Sequence, residues 1–309
     1  MAVHAPPASA RPLDIRAVLA WQRRLARDPG FEGVWLHREV AHRLRERLAI
    51  IRHQPARWID AGGTLGASTQ LLREAYPHAE GWVIEPDRHW LERSRAAARR
   101  PWWSRALRRS GPALLGPDDP WPAAPIELIW SNMTLQRDPD PPATFARWHA
   151  ALAPGGFLMF SCLGPDSFRE LRELYAARAW GPPGAAFVDM HDLGDMLVHA
   201  GFADPVMDQE RLTLTWADAS RLLADLREAG VNAAPERFCG LRTPRWRQRL
   251  ADAIGSLADA SGRIRLTVEV AYGHAFRVER AARSPATGTI SVDALRATAR
   301  ERPTKSMPG

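Results

Sequence analysis

The chain has 309 residues, 45% of them hydrophobic and 25% charged, which excludes a wholly disordered or collagen-like protein and fits one core domain with additions. Its net charge is +7, and Lys305 is the single lysine among 42 basic residues; codon bias and a surface for an acidic partner are the two readings of so much arginine. The two cysteines, Cys162 and Cys239, exclude a disulfide framework and a four-cysteine zinc site; with no run of about 18 apolar residues and no hydrophobic leader, the expected setting is soluble, reducing and cytoplasmic.

Residues 1–12 read as a disordered tail, followed by a helical cap over 13–52 with helices near 14–27 and 33–51. In the second helix Leu36, Val40, Leu44, Leu48 and Ile51 recur at helical spacing, with arginines on the other face. The main domain is expected over 53–280. Short apolar runs at Arg57–Asp60, Gly81–Glu85, Ile126–Ser131 and Phe157–Phe160 read as strands. Helices are expected at Ser68–Tyr76, from a cap at Asp87 through Ala98, and near 142–152, the last stopped by Pro154-Gly155-Gly156. The proline-rich stretch 101–125 reads as a loop. A helical insertion is expected at about 165–260, with helices at 166–179, 190–200, 217–229 and 243–260 and short strands at 203–208 and 211–215. A strand at 264–278 precedes a partly disordered tail, 281–309. Strands alternating with helices predict an α/β fold, a parallel sheet covered on both faces.

The strongest local signal is Asp60-Ala61-Gly62-Gly63-Thr64-Leu65-Gly66, between a strand and a helix. Glycines there let the backbone approach a ligand, and the following helix start offers free N–H groups. The lysine of a phosphate-cradling loop is missing, as is the G-x-G-x-x-G spacing of dinucleotide enzymes. Glu85 ends the next strand, 25 residues past Asp60, where an acid accepts both hydroxyls of a ribose. A tight turn beside a surface glutamate is the alternative; the second acid favours a nucleoside-type ligand.

These residues, the strand Glu127–Gln136 and Leu152-Ala153-Pro154-Gly155-Gly156 resemble class I S-adenosylmethionine methyltransferases. Trp130-Ser131-Asn132 with Leu135-Gln136, the segments Gly164–Arg172 and Phe187–Leu197, Ala200-Gly201-Phe202, and Thr267–Ala275 narrow the resemblance. Together they are similar to the malonyl-acyl-carrier-protein O-methyltransferase family of biotin synthesis, over about residues 33–300. The resemblance implies a Rossmann-like, mostly parallel seven-stranded sheet with helices on both faces, helical additions and one antiparallel strand near the C-terminus. It implies S-adenosylmethionine as cofactor, with Asp60, Ala61, Gly62, Gly63 and Gly66 around its methionine end. Glu85 would hold the ribose hydroxyls, Asp118 or Asp119 would lie beside the adenine, and Asn132 would face the cleft.

The implied reaction is methyl transfer to the free carboxylate of malonyl-acyl-carrier protein or malonyl-CoA. An ionised carboxylate needs no general base, only alignment and loss of water. An arginine is the expected carboxylate clamp; Arg169 and Arg172 are the candidates, with Tyr272 and His274 behind them. The implied partner is the acidic carrier protein, docked by arginines near 38–52, 221–249 and the C-terminal tail. Nucleic acid and stable membrane association are not expected. His191-Asp192 lacks further metal ligands, and Asp189 or Asp192 reads as a helix cap.

The chain departs from the family's Asp-x-Gly-x-Gly-x-Gly at Thr64, where a Cβ would meet the cofactor's tail or a positive φ would cost strain. A family tyrosine falls at Gly30, beside Phe31, and a glutamine at His37. These departures leave open a non-catalytic binding or assembly protein, or an enzyme that modifies a protein side chain.

Overall fold

The computed structural model describes residues 12–31, 33–98, 111–230 and 232–278; the tail expected at 281–309, and all but the last residue of that expected at 1–12, lie outside these. Seven strands form one sheet: β1 (Arg57–Asp60), β2 (Glu80–Ile84), β3 (Ala113–Leu115), β4 (Ile126–Asn132), β5 (Leu152–Leu163), β6 (Ala203–Trp216) and β7 (Ile264–Phe276). Their order is β3-β2-β1-β4-β5-β7-β6. All adjacent pairs are parallel except those of β7, which runs antiparallel to β5 and β6. The chain moves outward through β2 and β3 on one side of β1, then returns to β4 on the other. This reversal opens a crevice beyond the C-terminal ends of β1 and β4, where ligands bind in open α/β sheets.

Side chains alternate across the sheet. Leu128 and Trp130 of β4 pack on one face with Val40 and Leu44 of α2 (Trp35–Arg47) and Leu72 of α4 (Thr69–Ala75). Ile129 packs on the other with Phe145 and Trp148 of α6 (Pro141–Ala151) and Leu197 of α8 (Met190–His199). Because both faces are covered, β4 is a near-continuous apolar run. Over the crevice, Trp21 and Leu25 of α1 (Ile15–Arg27) meet Leu65 of the single turn α3 (Gly63–Gly66) and Trp90 of α5 (Arg88–Ala98). Asp14, Asp140 and Asp189 accept hydrogen bonds from the first turns of α1, α6 and α8, so Asp189 is a cap.

Three expectations change. The stretch 101–125 contains β3, too short a run to signal itself amid prolines. The strands expected at 203–208 and 211–215 are one edge strand, β6. Its Asp208 and Glu210 pair with Arg47 and Arg43 of α2, so the charges at the expected break are satisfied in place. The expected helical insertion divides: α7 (Arg169–Ala176), α9 (Ala219–Ala229) and α10 (Pro244–Gly255) share a cluster over Trp216, Ile264 and Leu266, whereas α8 and β6 belong to the main layers. No helix among the described residues is long and apolar enough to cross a membrane.

Candidate functional site

The turn after β1 is held from within. Asp60 is fully buried; its Oδ1 accepts the Gly62 N–H at 3.0 Å and its Oδ2 the Thr69 hydroxyl at 2.7 Å. From β4, the Asn132 amide donates to the carbonyls of Gly66 (2.6 Å) and His37 (2.8 Å) and accepts from Ser161 at 2.6 Å. His37 Nδ1–H donates to the Leu65 carbonyl at 2.6 Å, and burial pushes the ring down to about 3, so it is neutral. Asn132 therefore braces the turn against α2, and its side chain does not face the cleft as expected. Asn132→Ala strands two buried carbonyls and is expected to cost about 2–3 kcal/mol, read by chemical denaturation.

The glycines are required by close approach. A Cβ on Gly62 would lie 3.2 Å from Gly66 Cα and 3.3 Å from the Asn132 carbonyl oxygen; on Gly63, at φ +54°, it would lie 2.5 Å from Glu85 Oε2. Thr64 is not among the residues with positive φ, so the strain expected there is absent. Its N–H and hydroxyl instead donate to the Glu85 carboxylate, the hydroxyl at 2.7 Å, and the Ser94 hydroxyl donates to the same Oε1 at 2.5 Å. Thr64→Gly removes that anchor, and ligand affinity is expected to fall two- to tenfold, about 0.5–1.5 kcal/mol, by calorimetry.

A cavity of about 240 Å³ opens over this turn, lined by Ala61, Gly62, Glu85, Gln22, Trp121 and Arg137 among others. Here an apolar wall, the exposed backbone at Gly62 and a buried carboxylate meet. That donor set fits a nucleoside ligand, whose ribose hydroxyls Glu85 would take and whose charged tail the Ala61–Gly62 backbone would meet. Gly63 and Gly66 shape the turn from behind. Asp118 does not join them; it is exposed, 3.7 Å from Arg88, and Asp119 accepts the Gly116 N–H.

A second cavity, about 390 Å³, is walled by apolar residues such as Leu36, Met133, Phe187 and Leu226, with Arg24, Arg137, Arg172 and Arg227 and no carboxylate among its lining residues. Arg137 alone lines both cavities. It ends a 3-10 turn, Leu135–Arg137, that follows β4. Its guanidinium lies 5.0 Å from the Trp21 ring. Burial pushes it down to about 10, so it is still a cation at neutral pH.

Residues 34–204 match a family described as a methyltransferase domain. A malonyl-[acyl-carrier protein] O-methyltransferase of Laribacter hongkongensis is 39% identical over 78% of this chain and 82% of its own length. One of Gallionella capsiferriformans is 39% identical over 78% and 84%. The chain belongs to this methyltransferase family. Its cofactor is S-adenosylmethionine. The fold is also that of the solved YcgJ protein of Bacillus subtilis, which is 10% identical, with a TM-score of 0.52 over 77% of this chain and 99% of that one.

In this methyltransferase the expected carboxylate clamps fare unevenly. Arg169 is exposed and lies 3.5 Å from Glu170; it lines neither cavity. Arg172 lines the larger one, but its fork donates to the carbonyls of Ser167 and Pro165. Tyr272 lies under the Arg47 guanidinium, with its hydroxyl donating to Glu210 at 3.2 Å, and His274 is half-buried beside Phe276. Neither lines either of these two cavities. Both sit on β7, in the segment Thr267–Ala275 that carries part of the family resemblance, and the resemblance did not place their side chains. Arg137 went unnoticed, although it directly follows the Leu135-Gln136 pair; only the turn after β4 reveals where its side chain goes. Among the described residues no cluster of three or more metal-ligating side chains occurs.

Asp60 adds a pH dependence. Burial raises its carboxyl to about 7, against hydrogen bonds from Thr69 and Gly62 that lower it. A cationic ligand favours the ionised form, so binding releases a proton. Affinity for S-adenosylmethionine is expected to rise as pH climbs from 6 toward 8 and then to level off; calorimetry in two buffers of different ionisation enthalpy reads the proton.

Proposed function

We propose that this methyltransferase esterifies the free carboxylate of malonyl-acyl-carrier protein in biotin synthesis, in the cytoplasm; malonyl-CoA carries the same acyl group. The observation that carries this reading is Arg137, a cation shared by the nucleoside cavity and an apolar, acid-free cavity. A carboxylate held there would lie at the boundary between the two. S-adenosylmethionine, when bound, supplies an electrophilic methyl on sulfonium sulfur; transfer to a carboxylate oxygen breaks the carbon–sulfur bond and leaves a methyl ester and S-adenosylhomocysteine.

The chain's own groups have three tasks in that reaction. Arg137 pairs with the carboxylate and fixes one oxygen toward the first cavity. The apolar walls strip water from that oxygen, which strengthens it as a nucleophile. Neutral His37, beside Arg137, neither repels the substrate's anchor nor takes a proton, and no base is called for. The relatives' names support the malonyl acceptor, and the cavity's charge fits a thioester carrying an anion.

The expected carrier dock on α2 is revised: Arg43 and Arg47 are committed to Glu39, Glu210 and Asp208. The arginines at the mouth of the larger cavity are better placed to meet an acidic partner. The test is rescue of a bacterial strain lacking its own malonyl-carrier-protein methyltransferase. Growth without biotin supports the reading; no growth, with soluble protein present, overturns it.

A further inference from the structure

The larger cavity holds more positive charge than a malonyl group can use. Arg24, Arg137, Arg172 and Arg227 line it, and among the described residues none has a carboxylate within ion-pairing distance. A malonyl half-thioester brings one negative charge. Arg137, at the boundary with the cofactor cavity, suffices for it, and Arg172 is spent on two backbone carbonyls. Two cations remain.

These two come from distant parts of the chain. Arg24 is on α1 and Arg227 on α9, and Arg24 Nη2 donates to the Arg227 carbonyl at 2.5 Å. Both are exposed, which puts them at the mouth. The alternative role, an arginine capping the end of α9, accounts for one bond from Arg24. It does not account for Arg227, whose side chain has no hydrogen-bond partner among the described residues, nor for the absence of acids. Beside the larger effect of burial, the Arg227 charge also lies close enough to Arg24 to oppose its own, and like charges held near each other without a counter-charge favour an anion.

Resting on the malonyl-thioester reading above, we infer that Arg24 and Arg227 bind the phosphate of the substrate's phosphopantetheine arm. Leu223 and Leu226, on the same helix as Arg227, then form the apolar wall along which the arm descends. An arginine pair suits this group: each fork offers parallel donors to phosphate oxygens.

The test compares 4′-phosphopantetheine with pantetheine by calorimetry. The native protein is expected to bind the phosphorylated arm about tenfold or more tightly, a preference that shrinks with salt. The double variant Arg24→Gln/Arg227→Gln is expected to abolish the preference while keeping its affinity for S-adenosylhomocysteine. Should that variant not fold, Arg227→Gln alone carries the test. Equal native binding of the two arms, or a preference that survives in the variant, overturns the inference.

Kinetics separates the carriers. In the double variant, kcat/KM for malonyl-acyl-carrier protein and for malonyl-CoA should both fall toward that of malonyl-pantetheine. A loss confined to malonyl-CoA would place the pair on the nucleotide instead and overturn the shared phosphate site. If no malonyl thioester is methylated by the native enzyme, the proposed reaction fails, and the binding comparison still decides the arginine pair.

Discussion

Arg137→Met is expected to lower kcat/KM for a malonyl thioester by about a hundred- to a thousandfold, roughly 3–4 kcal/mol of transition-state stabilisation. Two effects add. The charge-assisted pair is lost, and the carboxylate is no longer held at the boundary between the two cavities, because Arg24 and Arg227 sit at the mouth and Arg172 is bonded to backbone carbonyls. Arg137→Lys keeps the charge but not the planar fork, so it should recover only part of the loss. Arg169→Met, on an exposed helix face, should change the rate less than twofold, within the small range of ordinary surface substitutions. Affinity for S-adenosylhomocysteine, measured separately, should move little in Arg169→Met and, because Arg137 also lines the cofactor cavity, should fall in Arg137→Met by much less than kcat/KM does. A wild-type rate from Arg137→Met, or equal losses at Arg137 and Arg169, would show that the clamp lies elsewhere.

Glu85→Ala is expected to weaken S-adenosylhomocysteine binding by more than a hundredfold. The carboxylate is fully buried. Hydrogen bonds to an ionised group are worth about 1.5–3 kcal/mol each, and a ribose offers two hydroxyls. The substitution also frees the Thr64 and Ser94 hydroxyls, which now converge on Oε1, so the turn itself loosens. Glu85→Gln retains one acceptor and should fall between. Glu92→Ala, an exposed position on α5, is the comparator; equal effects at Glu85 and Glu92 would end the ribose assignment.

The parts of the molecule legible in the sequence were those with local causes. Central strands such as Ile126–Ser131 are buried on both faces, so their runs of apolar residues stand out. Asp60, the glycines and Glu85 fall at fixed places between strand and helix, and their spacing alone suggested a nucleoside. What escaped depends on tertiary placement. Nothing in the order Leu135-Gln136-Arg137 says that the third side chain turns inward between two cavities. The family resemblance implied that Asn132 faces the cleft, yet its amide is drawn to the carbonyls of Gly66 and His37. The threonine at 64 looked like damage to a glycine motif. The positive φ belongs to Gly63 instead, and the hydroxyl gained a function in holding Glu85. The pairing of Arg24 with Arg227 spans 203 positions and leaves no mark on either segment.

Incubation of the pure protein with malonyl-acyl-carrier protein and methyl-labelled S-adenosylmethionine tests the central claim most directly. The account predicts label on the carrier protein's acyl group, released by mild base as methanol because the product is a methyl ester, and a loss of labelling in Arg137→Met. A carrier protein that stays unlabelled while the enzyme binds its cofactor, or a label that resists base, would contradict it.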